Sequence, residues 1–433
     1  MVPGVPYVLN RELLNKSIKF VFDRTFSEVE MRYQTLFFLG CLIIVAQATA
    51  QPRADWIRFF DLGGHEYIGD IYAMRDGRYA ICGATGQFYF SPDTTKDFWI
   101  ALLDAAGETI WSHTYGDENS GEEAVTIIDT DDGNLFAAGG SYSAEMGQRL
   151  AAVMVDGEGR EQWRRTYPGK WCHAAIELKA GMLLLAGHTR ENRDLNGLLL
   201  CIEQDGDILW QRSYDAGGNE DLWTMRETDG GVVVAGYSSR HPQCRIWIIK
   251  VDPDDGDILW TRFHSIDQQA SAFSMISDGN GGFAISGYAG YPDDFDFLLL
   301  KIDEQGDEEW HECYSADDEE EFGRAMGITR LTDGGYAISG GNNFGATLLR
   351  LEPGGEEMWC RRCYDDIFRD FSSSWFISTV TGLDESIVTA GRVRSERTGN
   401  DGVIVKLIPE RSAPMIVEYH PPELEFTTLP DTV

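Results

Sequence analysis

"KIDEQGDEEW", residues 301–310, is a short acidic turn that closes on a tryptophan, and the chain repeats it. Residues 102–111 read "LLDAAGETIW", 154–163 "MVDGEGREQW", 201–210 "CIEQDGDILW", 251–260 "VDPDDGDILW" and 351–359 "LEPGGEEMW". Tryptophans stand at Trp56, Trp111, Trp163, Trp210, Trp260, Trp310 and Trp359, at intervals of 55, 52, 47, 50, 50 and 49. Seven of the chain's 12 tryptophans fall on this spacing, so chance is a poor explanation for it. A period near 50 residues marks a propeller, a solenoid or an array.

The grammar between the tryptophans selects β structure. "RDGRYAICG" (75–83), "TDGGVVVAG" (228–236) and "TDGGYAISG" (332–340) each place a tight-hairpin dipeptide before a continuously apolar run. Asp-Gly tolerates the positive φ of such turns. An unbroken apolar run suits a strand buried on both faces. A third apolar run follows, then the D-x-x-G turn, then Trp and a fourth strand. The first Trp strand, "DWIRFFDL", has no unit before it, and the last unit ends at "GVIVKLIPE" with no Trp strand of its own. These matching defects predict an all-β, seven-bladed β-propeller of four-stranded antiparallel blades, its ring closed by the N-terminal strand, which removes an exposed edge.

The D-x-x-G-x-x-x-W turn resembles the tryptophan-docking repeats of the pyrroloquinoline-quinone-type propellers. The whole unit, over about residues 55–410, looks more like the repeats of secreted bacterial β-propeller proteins. The resemblance implies fold rather than activity. A quinone-dependent dehydrogenase of that type would bring eight blades and a vicinal cysteine pair, and the sequence has neither.

At 433 residues and 43% hydrophobic, the chain is large enough for one such ring. Its 71 acids against 36 bases give a formal charge of −35, which repels nucleic acid and anionic lipid and sets both aside as partners. Residues 1–30 read as an over-extended start. Residues 31–50 have the Arg32, apolar and Ala48-Thr49-Ala50 layout of a signal peptide cleaved before Gln51. The propeller then occupies 51–410, and 411–433, broken by prolines, is an extended linker. An exported protein is expected, extracellular, on the cell surface or periplasmic, with no integral membrane domain after cleavage, and monomeric. Seven scattered cysteines in the exported part are no disulfide framework.

Short stereotyped turns on one face of the disc leave the variable connections to the other, where binding is expected. There the repeat places an acid at the start of each innermost strand: Glu66, Glu122, Glu220, Glu321 and, less cleanly, Asp370, with His173 and Ala270 in the remaining repeats. Five carboxylates would ring the channel mouth. Such a ring either ties loops to neighbouring blades, the reading favoured here, or shares a cation. No cofactor is expected, and calcium is the cation such a ring would share. Phe88, Tyr89, Trp171, Trp223 and Trp375 on the same face offer stacking surfaces or inward loop anchors. Together these predict a non-enzymatic module that binds carbohydrate, peptide or protein. The alternative is a secreted carboxylate-dependent hydrolase or lyase at the central channel; no catalytic residue is identified.

Overall fold

The computed structural model describes residues 53–408 apart from 87–95, 119, 180, 192, 241–242, 292–293, 316–322, 343–344, 364–366 and 396–398. The expected over-extended start, signal peptide and C-terminal linker, like Phe88, Tyr89 and Glu321, lie outside the described residues.

After β1 (Ala54–Phe60) the chain repeats one motif, four antiparallel strands joined in order. The first unit is β2 (Tyr67–Ala73), β3 (Tyr79–Gly86), β4 (Lys96–Leu103) and β5 (Thr109–Tyr115). Next come β6 (Ser120–Asp129), β7 (Leu135–Ser143), β8 (Gly147–Val155) and β9 (Glu161–Tyr167). Then follow β10 (Trp171–Glu177), β11 (Leu183–Glu191), β12 (Asp194–Ile202) and β13 (Ile208–Tyr214). β14 (Asn219–Thr228), β15 (Gly231–Arg240), β16 (Gln243–Val251) and β17 (Ile258–His264) form another unit. So do β18 (Gln269–Ser277), β19 (Phe283–Tyr291), β20 (Asp294–Ile302) and β21 (Glu308–Tyr314). β22 (Gly323–Arg330), β23 (Tyr336–Asn342), β24 (Ala346–Leu351) and β25 (Glu357–Arg362) come before the last. That last unit has three strands of its own, β26 (Ser373–Thr381), β27 (Ile387–Ser395) and β28 (Gly399–Leu407). Its fourth is β1, antiparallel to β28 with Trp56 opposite Lys406 and Phe59 opposite Val403. The hydrogen-bonded sheets are five of four strands and one of eight, in which β14–β17 and β18–β21 meet at the parallel pair Cys244–Gln269.

The core lies between the sheets. One cluster joins Cys82, Phe98 and Ile100 of the first unit to Leu135, Ala137 and Val153 of the next. Another joins Ile68 and Trp99 to Val388, Ala390 and Ile404 of the last. The second and third strands of each unit are thus covered on both faces, which is why they read as unbroken apolar runs. Cys82, Cys172, Cys201 and Cys244 are free thiols buried in these layers.

The repeated turn now has a physical account. In each turn the glycine sits at positive φ, +79° at Gly159 and +76° at Gly256, and Gly107, Gly159, Gly256, Gly306 and Gly355 lie against the tryptophan of the preceding unit. A Cβ on Gly256 would come within 2.8 Å of both the Trp210 ring and the Tyr214 hydroxyl. The same glycine's carbonyl accepts a hydrogen bond from that tyrosine, at 2.7 Å for Tyr214–Gly256 and 2.6 Å for Tyr115–Gly159. Trp, Tyr and Gly therefore form one clamp, and each is fixed by the other two. Trp56 of β1 packs on Gly107, with Phe60 at the place of the tyrosine.

A second set of contacts varies between junctions. The residue after the second-strand glycine faces the inner strand of the next unit. His188 meets Asp221 at 3.0 Å, and the Arg324 guanidinium lies 5.4 Å from the Tyr288 ring centre. Trp375 rests on Gly341, and a Cβ on Gly140 would run into the Trp171 ring. Tyr67 donates to Glu123 at 2.5 Å.

Candidate functional site

Every inner strand carries a β-bulge at the same place in the repeat. It falls between Ile68 and Asp70, Ala124 and Thr126, Cys172 and Ala174, Leu222 and Thr224, Ala272 and Ser274, Ala325 and Gly327, and Phe376 and Ser378. A bulge leaves one residue out of the ladder and re-aims its side chain. The displaced residues are Gly69, Val125, His173, Trp223, Phe273, Met326 and Ile377, and all of them line one cavity of about 680 Å³. The repeat thus holds a backbone feature constant and varies the side chain it presents.

Next to the bulge glycine stands Asp70, on the cavity wall. It accepts hydrogen bonds from Ile71 N at 2.9 Å, Ile127 N at 3.0 Å and Ser378 Oγ at 2.7 Å, so β2, β6 and β26 meet on one carboxylate. Burial pushes its pKa up to about 6 against these bonds, which lower it. The folded chain therefore holds this proton more tightly than the unfolded chain does, and Asp70's contribution to stability falls as pH rises from about 4 to about 6. Urea unfolding should show the stability advantage of the wild type over Asp70→Asn shrinking by roughly 2 kcal/mol across that window and constant above it. Parallel curves would show that Asp70 titrates normally.

His173, which lines the cavity, forms one polar group with His188 and Asp221 behind it. His173 Nε2 lies 3.1 Å from Asp221 Oδ2, and His188 Nδ1 lies 3.0 Å from Asp221 Oδ1. The three come from β10, β11 and β14, and their side chains are 7%, 16% and 6% exposed. His173 stacks on Trp223 with ring centres 3.8 Å apart, and Trp223 meets Phe273 edge-on at 4.8 Å. Burial alone would raise the Asp221 pKa, but the two imidazoles outweigh it and hold it down at about 2. Donor atoms of the three residues lie within 4.8 Å of one another, a spacing that could hold a metal ion.

The sequence-predicted acids are placed differently from expectation. Glu66, Glu122 and Glu220 are buried and off the cavity wall. One oxygen of each ties its own unit together. Glu66 accepts from Gly64 N and Thr85 Oγ1, both at 3.0 Å, and Glu220 from Gly218 N at 2.9 Å and Ser238 Oγ at 2.8 Å. Glu122 accepts from Ser120 Oγ at 2.5 Å and Ser141 Oγ at 3.3 Å. The second oxygen of each is buried without a hydrogen-bond partner. Burial raises the pKa of Glu122 and Glu220. Counted from the bulge, the equivalent positions in the other units are Lys170, Ala270, Gly323 and Ser374. Asp370 and His173 are therefore out of register with Glu66, Asp370 is exposed, and the expected carboxylate ring at the mouth does not form among the described residues. Asp61, Glu66 and Asp401 do converge, with one oxygen of each within 4.8 Å of the others.

Of the aromatic candidates, Trp223 lines the cavity. Trp171 and Trp375 are anchors instead, half-buried on Gly140 and Gly341 of the preceding units. His188 and Asp221 were not singled out from the sequence.

Residues 96–291 match a family model described as "Outer membrane protein assembly factor BamB". A search of curated protein sequences finds no match to the chain. Among solved structures, the chain is similar to one from the Drosophila Plexin A–Semaphorin 1b complex, at 8% identity and a TM-score of 0.50. That likeness covers 83% of this chain and 88% of the other. Sqt1 of Chaetomium thermophilum is similar at 12% identity and a TM-score of 0.49, over 83% and 99% of the two chains.

Proposed function

We propose that this propeller of pyrroloquinoline-quinone-type repeats is an exported, non-enzymatic binding module that takes a protein, peptide or carbohydrate ligand at the cavity and the loops around it. The observation that carries the reading is the bulge position. Seven units keep its backbone and none keeps its side chain, which runs from Gly69 through His173 and Trp223 to Met326. A scaffold position that is constant in geometry and varied in chemistry suits recognition. Most of these side chains are apolar or aromatic, the kind that anchors a buried hot spot.

The architecture that goes with this reading is a closed ring of seven blades acting as a monomer. Supporting it are the inner strands sharing one cavity, β1 on β28, Trp56 against Gly107, and the hydrogen bond from Ser378 to Asp70. Export is supported by the signal-peptide layout of residues 31–50. Calcium enters at one place, the carboxylates of Asp61, Glu66 and Asp401, where Glu66 has a buried oxygen without a hydrogen-bond partner. A calcium titration that leaves the melting temperature unmoved removes it from the proposal. One observation favours the competing hydrolase or lyase: Asp70, at about 6, is poised near neutrality on the cavity wall. Three hydrogen bonds already occupy that carboxylate, which suits a strand tie better.

The test is to pan a random-peptide library on the immobilised full chain, with a glycan array in parallel. Trp223→Ala with Phe273→Ala should weaken the selected ligand by about 30-fold without lowering the melting temperature by more than a few degrees. Undiminished binding by the double variant, or no ligand from either screen, sinks the proposal.

A further inference from the structure

We propose that His173, His188 and Asp221 form a binding site for one divalent transition-metal ion of the zinc class, which meets the cavity at His173. The inference goes beyond the ligand-binding reading and does not depend on it.

The donor set comes first. Two imidazole nitrogens and a carboxylate suit zinc and its neighbours, whereas calcium and magnesium take oxygen donors. The three donors lie within 4.8 Å of one another, and the two N–O separations are 3.1 and 3.0 Å. Donors about 2.0–2.1 Å from a common tetrahedral ion stand roughly 3.3 Å apart, so small shifts in the imidazoles and in Asp221 would admit one.

The position of His173 is a second, independent observation. Its side chain is 7% exposed and clamped face to face against Trp223, yet its Nδ1 is buried without a hydrogen-bond partner. Hydrogen bonding at both nitrogens therefore does not explain where the ring sits. Asp221, 6% exposed, presents one oxygen to each of the two imidazoles, so all three donor groups face one another.

The repeat supplies the third. His188 follows the second-strand glycine, where the other units have Ala84, Gly140, Tyr237, Tyr288, Gly341 and Arg392. His173 occupies the bulge, where no other unit has a histidine, and Asp221 the position two residues before it, where Glu123 is the other carboxylate of the repeat. Two histidines found at their places in no other unit thus meet a carboxylate at one junction. Three protein donors leave a zinc-class ion with an open position, and His173 lines the cavity, so that position would face the ligand space.

Cobalt(II) is the probe, added to the purified full chain after chelator treatment and dialysis. Expected is one equivalent per chain, with the intense visible absorption of a four- or five-coordinate nitrogen-ligated ion, abolished by one equivalent of zinc. His188→Ala should lower zinc affinity by at least about 100-fold, and Glu220→Gln, a neighbouring carboxylate outside the set, should leave it unchanged. Sub-stoichiometric uptake, a weak octahedral spectrum, or equal affinity in His188→Ala overturns the proposal, leaving a hydrogen-bonded His–Asp–His group. Should His188→Ala fail to fold, the wild-type cobalt spectrum decides alone. Peptide binding measured with chelator present keeps the two proposals separable.

Discussion

A chain that begins at Gly63, lacking β1, should lose about 10 °C of melting temperature or its cooperative transition altogether. β1 is the outer strand of the sheet whose other members lie more than 300 residues later. Its removal strips six register positions from β28 and leaves the edge of that strand bare. It also removes Phe60 from Trp99, at 5.3 Å between ring centres, and Trp56 from Tyr79, at 6.3 Å. Arg58, which donates to Ala106 O at 2.8 Å and Glu108 Oε1 at 2.7 Å, goes with them. Half-buried Trp56, Ile57 and Phe60 contribute about 1–2 kcal/mol each. With the ladder, the loss is on the order of 5 kcal/mol, comparable to the whole stability of a typical domain. A synthetic peptide of residues 52–62 should restore much of it in trans by strand addition. A truncated chain that melts within about 2 °C of the full one would mean that β1 does not close the sheet.

Gly256→Ala should cost about 3–4 kcal/mol, measured by urea unfolding. A φ of +76° is disfavoured for alanine by about 1–2 kcal/mol. The new Cβ would in addition stand 2.8 Å from both Trp210 and the Tyr214 hydroxyl, and overpacking of that kind typically costs 1–3 kcal/mol. Gly217→Ala separates the two effects. Its φ is +89°, but nothing lies within 4 Å of the added atom, so about 1–2 kcal/mol is expected there. Equal losses at the two positions would show that the clamp on Trp210 and Tyr214 carries no energy of its own.

The strands and the clamp were legible because they are written locally and repeatedly. Glycine four residues before tryptophan encodes a turn and the surface it rests on, and alternating turn and apolar run encode the meander. The carboxylate positions were misread for a geometric reason. Each inner strand has a bulge a few residues in, and equivalence has to be counted back from it, three residues to Glu66, Glu122 and Glu220. Loops before the inner strands also differ in length, so counting forward from the tryptophan reaches Glu321 and Asp370, whereas the register places Gly323 and Ser374 beside Glu66. The bulge has no sequence signature, since Gly69, Val125 and Trp223 share nothing but location. His173, His188 and Asp221 come from three strands in two units, and no local spacing joins them. The one signal available was that "LLLAGHTR" places a histidine just after the second-strand glycine.

The unlike contacts between successive units act as an address system. A histidine waits for Asp221, a bare glycine for Trp171, and a tyrosine for Arg324. Identical junctions would let any repeat dock on any other, and a chain of near-copies would then have many ways to misassemble, including rings with a unit skipped or borrowed from a second molecule. Here a skipped unit sets Tyr288 against the bulk of Trp375, or the Trp171 ring against a side chain where it needs a glycine. The divergence of these copies therefore favours the native order of units over one with a unit skipped.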